Sequence, residues 1–150
     1  MSGLPGTVLF ACTYNRVRSP MARALMMRQF SGRLFVESCA LRRAATTEID
    51  PFMLEVMSEI GLDLSNHRQK TFAELEDGSF DLVISLSLEA QHGAVELARN
   101  ASTELVYWPT KDPTLVEGRR DQVIEAYRRT RDDLLAQITR QFGPPSTFGG

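Results

Sequence analysis

Short apolar runs alternate with segments of helical periodicity along the whole chain. The runs have the length of β-strands and lie at residues 8–11, 34–36, 81–86 and 105–108. Between them, apolar residues recur at helical spacing, as at Met53, Val56, Met57 and Ile60. Uninterrupted apolar strands are typical of a parallel sheet that is buried on both faces. Because such strands alternate with helices, we predict a three-layer α/β fold with a four-stranded parallel sheet flanked by helices.

Capping residues mark several helix starts. Ser19 followed by Pro20, and Asp50 followed by Pro51, combine an N-cap side chain with a proline at the first helical position. Ser87 can cap a further helix that runs toward residue 99. We therefore predict that helices begin directly after these three polar residues.

Length and charge narrow the class of protein. The chain has 150 residues, and its last helix is predicted over about residues 119–142. We therefore predict one domain over residues 1–142 and a flexible tail over residues 143–150. A formal net charge of -2 gives no basic field that would attract nucleic acid. Since no apolar run could span a bilayer and the N-terminus lacks a secretory signal, we expect a cytoplasmic protein without a membrane partner.

The cysteines and histidines do not have the spacing of a metal site. The chain has two cysteines, Cys12 and Cys39, and two histidines, His67 and His92, with none of the close pairs typical of metal ligands. A domain of this size does not need a disulfide, and a reducing compartment keeps thiols free. We predict no bound metal and two free thiols.

Residues with reactive side chains follow three of the predicted strands. Cys12 comes directly after the first strand, Ser38 ends the second, and Asp112 follows the fourth. The carboxyl ends of parallel strands meet at one edge of a sheet, where ligands bind in α/β folds. We therefore expect these side chains to lie close together.

The segment between the first strand and the first helix has the features of an anion site. Its backbone N–H groups can curl around an anion at the N-terminus of the helix. Arg18 can hold two oxygens of that anion, and the same surroundings favour the nucleophilic thiolate form of Cys12. An inert core cysteine is the alternative, but it does not account for the arginine and the Ser-Pro pair that follow. The predicted phosphate-binding residues are Thr13, Tyr14, Asn15, Arg16, Val17 and Arg18.

These stretches resemble a known enzyme family. VLFACTYNRVRSPMARAL resembles the N-terminal signature of the low-molecular-weight protein tyrosine phosphatases, which arsenate reductases of the same fold share. Other stretches resemble family segments in the same order, namely VESCA, DPFMLEVMSEIGLDLSNHR, FDLVIS and WPTKDPT. The resemblance covers about residues 7–140 and is specific to the superfamily rather than to one branch. We expect strand order 2-1-3-4, with the phosphate loop after strand 1.

The resemblance implies a role for each matched residue. Cys12 would be the nucleophile that forms a phosphocysteine, and Arg18 with the loop amides would hold the phosphoryl group. Asp112 would act as general acid and then as general base. No cofactor or metal is implied, and the expected partner is a phosphorylated protein or a small phosphate ester bound by a monomer or weak dimer. The residues that would brace the loop are Asn15, Ser19, Ser38 and His67.

The sequence departs from the family pattern around the substrate cleft. Members that act on phosphotyrosine usually carry aromatic residues after the second strand and after the Asp-Pro pair. Here residues 39–49 contain no aromatic residue, and Thr114 and Leu115 follow Pro113. Tyr14 either stacks on a substrate ring or packs within the loop. We predict a phosphatase for phosphate monoesters and expect protein phosphotyrosine as its substrate, with the preference for phosphotyrosine left open.

Two alternative functions stay open. The first is an arsenate reductase that uses Cys12 and an external thiol, because a thioredoxin-linked enzyme needs two more cysteines and residues 82–97 contain none. The second is a non-catalytic phosphate or phosphopeptide binder, although both Cys12 and Asp112 are present. Cys39 is either a small buried residue or a redox partner of Cys12 under oxidant.

Overall fold

The computed structural model describes residues 4–75, 79–98 and 102–145. These residues form one sheet in the order β2-β1-β3-β4, and each neighbouring pair is parallel. The predicted parallel sheet and its strand order are therefore confirmed. The four strands are β1 (Thr7–Cys12), β2 (Phe35–Ala40), β3 (Leu82–Ser85) and β4 (Glu104–Tyr107).

Helices cover both faces of the sheet, as predicted. Two short 3-10 helices, Phe72–Glu74 and Pro113–Leu115, lie in connecting segments. The α-helices of the described residues are α1 (Arg18–Gln29), α2 (Pro51–Ser58), α3 (Leu88–Leu97) and α4 (Arg120–Phe142). On one face α1 packs on β1, β2 and α4, and α2 packs on α4. On the other face α3 packs on β1, β3 and β4.

The side chains of β1 alternate between two apolar cores. Val8, Phe10 and Cys12 belong to the core beneath α1, α2 and α4, whereas Leu9 and Ala11 belong to the core beneath α3. All five are at most 2% exposed. Burying a side chain the size of Leu or Phe contributes about 1.5–3 kcal/mol. Because β1 is packed on both faces, its carboxyl end is a firm support for the loop that follows.

Strand β2 extends beyond the predicted apolar run. Ser38 and Cys39 continue the ladder opposite Phe10 and Ala11, so Ser38 lies within the strand rather than at its end. Cys39 packs in the core beneath α3, and Cys12 packs in the core on the opposite face. Both thiols are free. Because the two side chains point to opposite faces of the sheet, this arrangement does not support a redox pair between them.

Two of the predicted helix caps are confirmed. One oxygen of Asp50 accepts hydrogen bonds from the backbone N–H groups of Phe52 and Met53 at the start of α2. Ser87 Oγ accepts one from the backbone N–H of Ala90 at the start of α3. These bonds satisfy N–H groups that have no partner within the helix.

Ser19 is not an N-cap, contrary to the prediction. Helix α1 begins at Arg18, and Val17 occupies the N-cap position without a side-chain hydrogen bond. Ser19 is therefore the second helical residue, Pro20 is the third, and both are buried. The Ser19 hydroxyl bonds to the preceding loop instead. A hydroxyl with a tertiary partner is not free to cap its own helix.

The predicted end of α3 and part of the predicted tail lie outside the residues that the structure describes. Helix α3 is described to Leu97, so its predicted end at residue 99 lies outside the described residues. Helix α4 ends at Phe142, near the predicted boundary, and residues 146–150 of the predicted tail also lie outside. The domain boundary stays a prediction. None of the described helices combines the length and apolar character needed to cross a membrane.

The loop after β1 is anchored to both neighbouring strands by backbone hydrogen bonds. On the β2 side, the N–H of Leu41 donates to Cys12 O at 3.0 Å and the N–H of Arg42 donates to Thr13 O at 3.1 Å. On the β3 side, the N–H of Leu86 donates to Ala11 O at 2.8 Å. The carboxyl edge of the sheet thus holds the start of the loop in place.

Candidate active site

Asn15 is the centre of the loop between β1 and α1. It is fully buried, and its φ of 57° lies in the left-handed region, which Asn tolerates better than most residues. In this conformation its backbone N–H lies 3.3 Å from Cys12 Sγ. The loop therefore turns back on itself and directs an amide hydrogen at the sulfur.

The Asn15 side chain ties the loop to three other segments. Its Nδ2 donates to Ser19 Oγ at 2.8 Å and to Ser38 Oγ at 2.9 Å. Its Oδ1 accepts a hydrogen bond from the Lys70 backbone N–H at 3.1 Å. Since every polar atom of the amide is engaged, the network determines which way the amide points.

Ser19 lies beside the candidate nucleophile. Its Oγ is 2.9 Å from Cys12 Sγ, and both residues are at most 2% exposed. Ser19 Oγ accepts a hydrogen bond from Asn15, so its one hydrogen goes either to the sulfur or to Cys39 O at 3.4 Å. The sulfur is the nearer of these two acceptors, and the backbone N–H of Asn15 is a second group that can donate to it.

Arg18 connects the loop with the segment after β4. Its guanidinium donates to Thr110 O at 3.0 Å and lies 3.7 Å from the Asp112 carboxylate. The Arg18 side chain is 10% exposed and that of Asp112 is 23% exposed, so solvent reaches the pair from the Asp112 side. The other Asp112 oxygen accepts hydrogen bonds from the backbone N–H and the hydroxyl of Thr114, at 3.0 and 2.6 Å. Arg18 thus holds Asp112 near the loop, and Thr114 fixes the orientation of the carboxylate.

His67 supports the loop through the backbone carbonyl of Asn15. Its Nε2 lies 2.7 Å from Asn15 O, and because a carbonyl only accepts, Nε2 carries the hydrogen. Burial lowers the pKa of His67, and the positive charges of Arg23 and Lys70 act in the same direction. The hydrogen bond to Asn15 and the charge of Glu37 oppose this shift. His67 therefore favours the neutral form more than a free histidine does.

The remaining loop side chains contact the protein or solvent. Thr13 Oγ1 donates to Ser87 Oγ at 3.0 Å, and the Arg16 guanidinium donates to Glu48 O at 3.0 and 3.3 Å. Val17 packs in the core at 4% exposure, whereas Tyr14 is 41% exposed. For Thr13, Arg16 and Val17, the backbone amides rather than the side chains are therefore the groups left for an anion.

Cys39 has an environment unlike that of Cys12. It is fully buried, and this burial raises the pKa of its thiol well above the ordinary value. The nearby Cys12 and Glu37 add to the shift, and Lys70 opposes it. A neutral buried thiol is a poor nucleophile, so Cys39 serves as a packing residue.

Two hydrogen-bond partners of the site residues lie far away along the chain and were not predicted from the sequence. Thr110 is 92 residues from Arg18, and Lys70 is 55 residues from Asn15. Both contribute backbone groups, which any residue type could supply. No sequence signal marks such a contact, because it is created by the path of the chain.

The comparison with known proteins decides the family. A model of the low molecular weight phosphotyrosine protein phosphatase family matches residues 7–141. The chain belongs to this family. The resemblance inferred from the sequence motifs is therefore confirmed.

Relatives of this low molecular weight phosphatase family member carry different names. The arsenate reductase of Halalkalibacterium halodurans is 28% identical over 131 residues, which cover 87% of this chain and 91% of the relative. The probable low molecular weight protein-tyrosine-phosphatase EpsP of Ralstonia solanacearum is 28% identical over 137 residues, 89% of each chain. The structure of YwlE arginine phosphatase from Geobacillus stearothermophilus superposes with a TM-score of 0.71 at 27% identity, over 91% of this chain and 90% of the other. The family is enzymatic, and both phosphatases and arsenate reductases are similar to this chain.

Proposed function

We propose that the protein hydrolyses phosphate monoesters through a phosphocysteine on Cys12, with protein phosphotyrosine as the expected substrate. The observation that carries the proposal is the 3.7 Å separation of Arg18, at the end of the loop that follows Cys12, and Asp112, in the segment after β4. A nucleophile, a cation for the phosphoryl oxygens and a carboxyl group for the leaving oxygen are the groups that this chemistry needs.

In the first step the Cys12 thiolate attacks phosphorus. An S–P bond forms while the ester P–O bond breaks, and the carboxyl group of Asp112 gives its proton to the departing oxygen. Arg18 and the amides of the loop hold the three other phosphoryl oxygens and neutralise their charge. The alcohol or phenol leaves, and the phosphoryl group stays on sulfur.

In the second step water replaces the sulfur. The Asp112 carboxylate takes a proton from the water as its oxygen bonds to phosphorus, and the S–P bond breaks. Inorganic phosphate leaves, Cys12 is again a thiolate, and Asp112 is again protonated. Ser19 stabilises the leaving thiolate through the hydrogen bond at 2.9 Å.

The first experiment measures hydrolysis of p-nitrophenyl phosphate without added metal. Wild type is compared with Cys12→Ser and with the matched variant Cys39→Ser. We expect vanadate-sensitive turnover in wild type and Cys39→Ser and none in Cys12→Ser. Phosphotyrosine and phosphoarginine peptides then test the substrate, since one similar structure is an arginine phosphatase. A folded wild type without turnover would contradict the proposal.

Arsenate reduction with an external thiol is the second candidate. It is favoured by the similar enzymes that are named arsenate reductases. The Cys12 thiolate would displace water from arsenate, and an external thiol would then attack the Cys12 sulfur. This attack forms a mixed disulfide while arsenic(V) becomes arsenic(III), and a second thiol restores Cys12. Arsenite production that requires added thiol and Cys12, without phosphatase turnover, would select this function.

A further inference from the structure

Two neighbouring arginines after β2 differ in their electrostatic environment. Arg42 and Arg43 are both exposed. Arg43 Nη2 lies 2.5 Å from a Glu74 carboxylate oxygen. Among the described residues no carboxylate pairs with Arg42. Within the part of the chain that the structure describes, Arg43 thus has a carboxylate partner and Arg42 has none.

The backbone places Arg42 beside the phosphate loop. Its N–H donates to Thr13 O at 3.1 Å, and the N–H of Leu41 donates to Cys12 O at 3.0 Å. Thr13 is the residue directly after the candidate nucleophile, so Arg42 starts from the edge of the anion site. An arginine side chain is long enough to reach over a ligand that projects from this site.

Other charges near the loop do not cancel that of Arg42. The Arg16 guanidinium is bonded to a neutral carbonyl, Glu48 O, and so keeps its charge. Lys111 is exposed next to Asp112, and Asp112 itself faces Arg18. The Glu48 side chain is the exposed carboxylate of this segment. The side chains around the site therefore carry more positive charge than Arg18 alone supplies to one phosphoryl group.

We propose that Arg42 recognises a second anionic group on the substrate, a carboxylate or phosphate carried by the part of the molecule that leaves. This inference rests on the proposed function. The planar guanidinium binds carboxylates and phosphates with two parallel hydrogen bonds. The loop after β2 carries this cation and no aromatic residue, so charge rather than ring stacking provides selectivity on this side of the site. The substrate class is an acidic phosphopeptide or a small phosphate ester with a second negative group.

The test compares Arg42→Gln with the matched variant Arg43→Gln. Each variant is assayed on two phosphotyrosine peptides that differ only in flanking aspartates or asparagines, and on 4-carboxyphenyl and p-nitrophenyl phosphate. Kcat/KM of each variant is divided by that of wild type for the same substrate, which removes differences in leaving group. An exposed charge pair corresponds to a change of at most about fivefold.

We expect Arg42→Gln to lose about two- to fivefold on the substrates with an extra anionic group and to stay unchanged on p-nitrophenyl phosphate. Arg43→Gln should change neither, because its charge is already paired. A loss confined to the acidic peptide identifies a peptide substrate, and a loss confined to 4-carboxyphenyl phosphate identifies a small ester. An equal loss on all substrates, or no loss, overturns the proposal.

Binding separates this inference from the proposed function. The same peptides are titrated into Cys12→Ser and into Cys12→Ser with Arg42→Gln, at low and high salt. The inference is supported if the aspartate peptide binds more tightly than the asparagine peptide, and if this difference requires Arg42 and becomes smaller at high salt. This result supports the inference even if wild type shows no turnover. 4-Carboxyphenyl phosphate is titrated into the same two proteins. If removal of Arg42 changes the affinity neither for the aspartate peptide nor for 4-carboxyphenyl phosphate, the inference is overturned.

Discussion

The hydroxyl of Ser19 lies 2.9 Å from the sulfur of Cys12, in a part of the site that is closed to solvent. The hydroxyl also accepts a hydrogen bond from Asn15 Nδ2 at 2.8 Å, and Cys39 O is a more distant acceptor at 3.4 Å. The sulfur is thus the nearer acceptor for its hydrogen, and Asn15 helps to hold the hydroxyl beside the sulfur. The residue expected to cap a helix acts on the candidate nucleophile instead.

Replacing Ser19 with alanine should slow the reaction, because the Cys12 sulfur loses a hydrogen-bond partner. A hydrogen bond to a charged group contributes about 1.5–3 kcal/mol, so we expect kcat to fall by roughly 10- to 100-fold. Ser85→Ala is the control, because Ser85 Oγ is buried with no hydrogen-bond partner among the described residues. Its kcat on p-nitrophenyl phosphate should stay near that of wild type. Equal kcat values for the two variants would show that Ser19 only packs.

Asp112→Asn should remove the proton donor and keep the shape of the segment. General acid catalysis contributes about 10²- to 10⁴-fold, so kcat should fall within that range. The loss should be larger with phenyl phosphate than with p-nitrophenyl phosphate, because phenol is the poorer leaving group. The exposed Asp121→Asn on α4 should change neither rate. Equal losses on both substrates would contradict a role in protonating the leaving oxygen.

His67 should make the stability of the protein depend on pH. Its pKa is lowered below 6.5, so from 6.5 down to that lowered value the folded state binds fewer protons than the unfolded chain. The free energy of unfolding therefore rises with pH across this window, by at most about 1.4 kcal/mol per pH unit. The contribution of His67 to the free energy of unfolding is fully present above pH 6.5 and is lost as the pH falls through this window.

Urea unfolding at about pH 7.5 and about pH 5.5 measures this contribution. His67→Gln keeps a donor for Asn15 O but cannot titrate, so its stability should change less than that of wild type between the two conditions. His92→Gln, at an exposed position of α3, should keep the wild-type dependence. A wild-type slope that persists in His67→Gln would assign the effect to other groups.

Tyr127→Phe should destabilise the contact between α2 and α4. The Tyr127 hydroxyl donates to Asp50 Oδ2 at 2.8 Å, and Asp50 is 5% exposed while it caps α2. Without the hydroxyl this carboxylate oxygen is buried without a partner, which costs about 1–3 kcal/mol of unfolding free energy. Chemical denaturation gives the value. Tyr107→Phe, at 38% exposure on β4, should cost little, and an equal cost would mean that water replaces the lost bond.

The architecture, and the edge of the sheet where the candidate site lies, were predictable from the amino-acid sequence. Apolar runs that alternate with helical segments are sufficient to predict a parallel sheet, because side-chain burial follows their periodicity. The position of Cys12 directly after the first run placed the site at the carboxyl edge. The caps at Asp50 and Ser87 were also predictable, since each bond joins residues within one helical turn.

The groups that surround the sulfur could be identified only once the chain was folded. Ser19 is predicted as a helix cap, but its hydroxyl forms hydrogen bonds with Asn15 and Cys12 in the folded chain. Cys39 is separated from Cys12 because the strand pairing places the two side chains on opposite faces of the sheet. The partners of Arg18 and Asn15 are backbone groups from distant segments. Local periodicity carries no information about such contacts, because they depend on the register of the strands and on the path of the loops that join them.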